Sequence, residues 1–185
     1  MKYSFESTFN QFDWNVIKEK IYSCTSNDVH HVLSKNKRTI DDFLILLSPA
    51  AAPFIEQMAQ ISQTMTQKRF GKTIQLYAPL YLSNECQNIC TYCGFSLDNK
   101  IKRKTLSNTE ILLEAKALKE MGVNHILLVS GEANKTVGMD YFKQAIRLLR
   151  PHFTNLSIEV QPLLFEEYAE LHHEGIHSVL VYQET

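Results

Sequence analysis

This sequence lacks a dominant charge. Its 19 Lys and Arg against 20 Asp and Glu leave a formal net charge of −1, so no basic field directs it to nucleic acid or to an anionic membrane surface. Glycine and proline are scarce, at six and five, and 10% of residues are aromatic. That composition argues against disorder. Long apolar runs are missing as well. The longest, such as residues 43–47 and 126–129, are too short to span a bilayer. No charged-then-apolar leader opens the sequence, so a cytoplasmic home with no membrane partner is the expectation. Cysteine is also sparse. Of the four, Cys86, Cys90 and Cys93 lie within eight positions, while Cys24 stands apart. That spacing does not suit a disulfide framework and reads as metal-binding or catalytic.

What is present is a length of 185 residues, enough for one ordinary core, and two kinds of pattern. The first seventy residues read as helical. Asp13 caps a helix carrying Trp14, Ile17 and Ile21 at helical spacing. A second helix runs through Val29, Val32 and Leu33 with Ser26 or Asn27 as its cap. A third follows Thr39, with Asp41 and Asp42 in its first turn. Pro49 opens a longer helix that Gly71 ends, and its stripe of Phe54, Ile55, Met58, Ile61 and Met65 reads as core. From Lys72 onward strands and helices alternate. Strands are expected at 73–82, 124–129, 156–161 and 178–183. Helices follow at 107–121, where Ser107 and Glu110 form a capping box, at 139–149 and at 165–174. The fold class is therefore α/β: N-terminal helices over 1–71, then four parallel strands of a partial βα barrel over 72–185. A complete eight-step barrel usually takes roughly 250 residues.

The chemistry sits just past the first strand, in N-E-C-Q-N-I-C-T-Y-C-G-F from Asn84. The loop after such a strand is where βα folds place their sites. Three thiolates on one loop can each hold one iron of a [4Fe–4S] cube, leaving the fourth iron open to a small molecule. A structural zinc would want a fourth protein ligand. The nearest histidine in sequence, His125, falls in an expected buried strand. Zinc and plain packing cysteines remain the competing readings.

Cys86-x3-Cys90-x-Tyr92-Cys93 is the signature of the radical S-adenosylmethionine enzymes, and the likeness extends beyond it. Leu80-Tyr81-Leu82-Ser83-Asn84, Cys93-Gly94-Phe95-Ser96, Val137-Gly138-Met139-Asp140-Tyr141-Phe142, Glu159-Val160-Gln161-Pro162-Leu163 and Val181-Tyr182-Gln183-Glu184-Thr185 resemble the 2-iminoacetate synthase family, the tyrosine lyases of thiamine thiazole biosynthesis. The resemblance covers nearly the whole chain and the N-terminal half of the family's length. It implies that Cys86, Cys90 and Cys93 ligate a [4Fe–4S] cluster whose open iron chelates S-adenosylmethionine, and that Tyr92 packs near the adenine. It implies that Ser130, Gly131 and Glu132 line the methionine amino group. Many radical enzymes carry Gly-Gly-Glu there, and Ser130 departs from that pattern. An ordinary βα turn is the alternative for Ser130-Gly131. Glu159 and Gln161, two apart on an expected strand, share a face and point to the cofactor or substrate cavity, with a local polar layer as the alternative. Gln183 and Glu184 carry the same reading.

The reaction so implied starts with one electron from the cluster, supplied by a one-electron reductant. A 5′-deoxyadenosyl radical then takes a hydrogen atom from the amino group of L-tyrosine. Cα–Cβ cleavage gives 2-iminoacetate and p-cresol, with thiazole synthase as the natural receiver of the imine. Two alternatives stand beside this: a non-catalytic product that only binds a cluster, and the related tyrosine-cleaving enzyme of hydrogenase maturation. Other features read as bland. Residues 100–104 form a basic loop, from which the resemblance allows one cation to meet the cofactor carboxylate or the cluster. His30-His31 and His172-His173 diverge on their helices, and Cys24 is a plain thiol.

Overall fold

Capped helices and a sequential parallel sheet make up the computed structural model, which describes residues 5–182. The chain divides into two units, the first ending at Thr73 and the second beginning at Ile74.

The first unit holds α1 (Phe5–Phe9), α2 (Trp14–Ser23), α3 (Ser26–Ser34), α4 (Ile40–Leu46), a 3-10 turn (Pro49–Phe54) and α5 (Ile55–Phe70). Asp13 caps α2 as expected, accepting from the backbone N–H groups of Asn15 and Val16. The cap of α3 is Thr25 rather than Ser26 or Asn27. The reason is a reciprocal box: Asp28 N–H donates to Thr25 Oγ1 and Thr25 N–H donates back to the Asp28 carboxylate. Thr39 and Asp42 repeat the device on α4. The helix expected from Pro49 starts instead as a 3-10 turn containing Pro53, and the α-helix begins only after it. Its stripe is only partly core. Phe54, Met58 and Ile61 pack against Val29, Leu33 and Ala51, whereas Ile55 and Met65 are exposed.

The second unit alternates β1 (Ala78–Ser83), α6 (Asn108–Glu120), β2 (His125–Ser130), α7 (Met139–Leu149), β3 (Asn155–Glu159), α8 (Phe165–Glu174) and β4 (Ile176–Val179). The strands pair in the order β1-β2-β3-β4, all parallel. The expected Ser107–Glu110 box opens α6, and Gly175, at φ 117°, closes α8 in the left-handed region. Helix α7 buries Phe142, Ala145, Ile146 and Leu149 at i, i+3, i+4 and i+7. These join Leu80, Leu82, Leu128 and Ile158 in one core on the helix-covered face of the sheet. The opposite face carries Tyr81, Val129 and Glu159, which lie side by side in register across three strands.

Strand limits differ from the expectations because pairing sets them. β1 begins at Ala78, not at 73, since its neighbour offers a first partner only at Ile126. Ile74 and Leu76 are exposed. β4 occupies 176–179, not 178–183: Ile176 pairs with Leu156 directly after the Gly175 turn and is buried. β3 ends at Glu159, so Gln161 lies beyond it. Gln183 and Glu184 lie outside the described residues.

Candidate cofactor site

The site grows from the carboxyl edge of the sheet. Past Ser83 the chain enters a long loop, and its base is closed by Asn84. Asn84 N–H donates to Lys104 O, Asn84 Nδ2 to Lys102 O, and Asn84 Oδ1 accepts from Lys104 N–H at 2.6 Å. Arg103 then ties the loop together. Its guanidinium donates to the carbonyls of Asn84 (2.6 Å), Phe95 (2.8 Å) and Ser96 (2.7 Å). The one cation of the basic run that is half-buried thus holds loop carbonyls. Lys104 pairs with Glu110 on α6. Within the loop, Asn99 Nδ2 donates to Cys93 O and Gly94 O, and Phe95 N–H donates to Cys93 Sγ at 3.4 Å.

The loop folds back over the end of β2. Gln87 N–H donates to Glu132 O at 2.8 Å, Asn88 Nδ2 to Glu132 Oε2 at 2.6 Å, and Gly131 N–H to Ser83 O at 3.2 Å. The approach is so close that a Cβ on Gly131 would lie 2.3 Å from Glu85 O and 2.9 Å from Cys86 Cβ. Glycine is required here for space, not for a positive φ. That is more than an ordinary βα turn asks.

Between loop and sheet lies a cavity of about 260 Å³. Cys86, Cys90 and Cys93 line it together with Ser130, Gly131, Glu132 and Glu159. The structure thus gathers most of the residues that the sequence singled out. It does not gather two. Tyr92 is 66% exposed and outside the lining. Gln161 is buried, donates to Val137 O at 2.9 Å and braces the entry to α7 instead. The cavity also holds Tyr81, Asn88, Phe95, Val129 and Tyr182, which the motif reading did not assign to a site. The alternation of exposed Tyr81 with buried Leu80 and Leu82 was the available signal for Tyr81. Tyr182, beside the suspected Gln183, needed the true limits of β4. Burial pushes the Tyr182 phenol up out of its ordinary range, and the nearby charges of Glu132, Cys86 and Glu159 add to this.

Among the described residues, no three His, Cys, Asp or Glu side chains are set to hold one metal ion. A single zinc needs thiolates converging to about 2.3 Å from one point. A cube asks for three thiolates spread over three corners, and a cavity walled by three cysteines suits that demand. His125 opens β2 at the amino edge of the sheet, opposite the loop, and cannot serve as a fourth ligand.

Comparison with known proteins agrees with this chemistry. The chain is 50% identical over 182 residues to 2-iminoacetate synthase of Escherichia coli (strain K12), and 48% identical over 182 residues to that of Salmonella typhimurium (strain LT2). Each alignment takes in 98% of this chain and 48% of the relative, so the chain spans about half the length of these proteins. The crystal structure of HydG, a maturase of the [FeFe]-hydrogenase, superposes with a TM-score of 0.86 at 25% identity, over 94% of this chain and 41% of that one. Members of the radical SAM superfamily use a [4Fe–4S] cluster and S-adenosylmethionine. Residues 80–185 match the model of that superfamily. The match starts inside β1 and takes in every residue that lines the cavity, so this chain belongs to the Radical SAM superfamily.

Proposed function

We propose that the chain is the cofactor-binding half of a tyrosine lyase of the 2-iminoacetate synthase type. In this proposal residues 1–71 are a helical extension and 72–185 a partial barrel. The observation that carries it is 50% identity across 98% of the chain. Cys86, Cys90 and Cys93 would hold the cluster, and Ser130, Gly131, Glu132 and Glu159 would line the bound S-adenosylmethionine. Together these groups supply, when bound, a one-electron route to a carbon radical that abstracts hydrogen. The chain's own residues bind and orient. Arg103 and Asn99 fix the loop that carries the thiols. Asn88 holds one oxygen of Glu132 and leaves the other to accept from an ammonium group. Tyr81, Phe95 and Val129 supply apolar wall that excludes water. Tyr92 would face the adenine from its exposed place on the cysteine loop, and Gln161 acts from behind the cavity.

In the same proposal the substrate is L-tyrosine, cleaved between Cα and Cβ to 2-iminoacetate and p-cresol in the cytoplasm. A one-electron reductant feeds the cluster and thiazole synthase takes the imine. Barrel substrate sites draw on loops from around the whole face, and four βα steps supply only part of that ring. Turnover therefore requires the remainder of the barrel.

The fold likeness to HydG supports a second reading, a hydrogenase-maturation lyase. Its 25% identity against 50% ranks it behind. One experiment tests both. The protein is reconstituted anaerobically with iron and sulfide, supplemented with the second half of the barrel from a relative, and given tyrosine. Roughly four irons per chain and tyrosine-dependent p-cresol without diatomic products support the first reading. Carbon monoxide and cyanide would move the assignment to the second. A colourless protein holding one zinc would remove both.

A further inference from the structure

Two hydroxyls in the cavity have no partner. Ser130 Oγ and Tyr182 OH are both buried, and neither makes a hydrogen bond. Both residues line the same cavity as the three cysteines. A buried hydroxyl without a partner is costly, so such groups normally mark a binding function. The rest of that wall is rich in acceptors, with the carboxylates of Glu132 and Glu159 and the cysteine sulfurs. Two other donors of the wall are already engaged. The Asn88 amide donates to Glu132, and the Gly131 N–H to Ser83 O.

An amino-acid group suits a wall of this kind. Its ammonium finds Glu132 or Glu159. Its carboxylate would be repelled by the same residues unless donors met it, and a hydrogen bond to a charged acceptor is the stronger kind. We propose that Ser130 Oγ and Tyr182 OH form a donor pair for the α-carboxylate of an amino-acid group bound in this cavity. The pair sets a preference for carboxylate-bearing ligands. Ser130 then contributes its side chain, which a glycine at that position could not do. This inference rests on the cofactor reading above and extends it. The carboxylate could belong to S-adenosylmethionine or to the amino-acid substrate.

The test uses protein reconstituted anaerobically and supplemented with the second half of the barrel from a relative, together with the variants Tyr182→Phe and Ser130→Ala treated in the same way. Equilibrium dialysis measures S-adenosylmethionine binding, and the electron-paramagnetic signal of the reduced cluster reports it independently. The expected result is an unchanged iron content and roughly tenfold weaker binding in each variant, with decarboxylated S-adenosylmethionine binding all three proteins alike. That outcome assigns the carboxylate to the cofactor. If the variants bind S-adenosylmethionine normally but bind tyrosine more weakly in its presence, the pair stands and its ligand is the substrate. If both ligands bind the variants as they bind the parent protein, the donor pair is wrong while the cofactor reading survives. If the parent protein itself takes up no cluster or no S-adenosylmethionine, both fall. Should Tyr182→Phe fail to fold, Ser130→Ala and the decarboxylated ligand decide alone.

Discussion

At the scale of single residues, Gly131 and Arg103 decide whether the cysteine loop can sit where it does. Gly131→Ala introduces a methyl where Glu85 O and Cys86 Cβ already stand. Overpacking of this kind costs about 1–3 kcal/mol. The expected outcome is a lower urea midpoint together with sub-stoichiometric iron after reconstitution; a variant that loads iron normally would mean that the loop has slack. Arg103→Lys keeps the charge but loses the planar fork that reaches four carbonyls. We expect cluster retention against a chelator to weaken about 10–100-fold, the usual effect of losing outer-shell support. The cysteines were legible in the sequence because their spacing alone places three thiols on one loop. Asn88 and Tyr182 were not. Their importance lies in what they face, Glu132 in one case and the cavity in the other, and those partners are distant in sequence. Tyr92 shows the opposite failure: its place in the signature said nothing about its 66% exposure.

At the scale of elements, caps were easier to read than strand ends. Ser107 and Glu110 lie three apart, so their box is a local fact that survives folding. A strand end depends on where its neighbour starts, which explains why β1 and β4 are shorter than their apolar runs. The capping box of α4 carries a pH dependence. Lys35 Nζ donates to Asp42 at 2.7 Å and the Thr39 N–H at 2.8 Å, holding the carboxyl down to about 2. A carboxyl depressed in the folded state stabilises above its ordinary value, near 4, and loses that effect as pH falls toward 2. Asp42→Asn should therefore unfold at lower urea than the parent at pH 7, and the gap should close as pH is lowered from about 4 to 2. A gap that stays constant across that range would assign the effect to packing instead.

At the scale of the whole molecule, the sheet has two edges among the described residues, β1 and β4, with the register order running straight from one to the other. On its inner face Leu127 and Val129 stand beside polar Ser157 and Glu159. Exposed strand edges next to apolar surface template association. The 185-residue chain alone should sediment as concentration-dependent oligomers, and a strictly monomeric species over the same range would count against this. The α/β class and the parallel order were legible because strand and helix periods alternate so regularly. The cavity's shape was not, because it depends on a loop crossing a strand end. That crossing also gives the thiols and the sheet a common footing. A methyl on Gly131 would already reach Cys86 Cβ, and the Gly131 N–H donates to Ser83 O at the end of β1. Whatever parts β1 from β2 also takes away the wall behind the cysteines, and leaves three thiols on a loop with no receptacle around them.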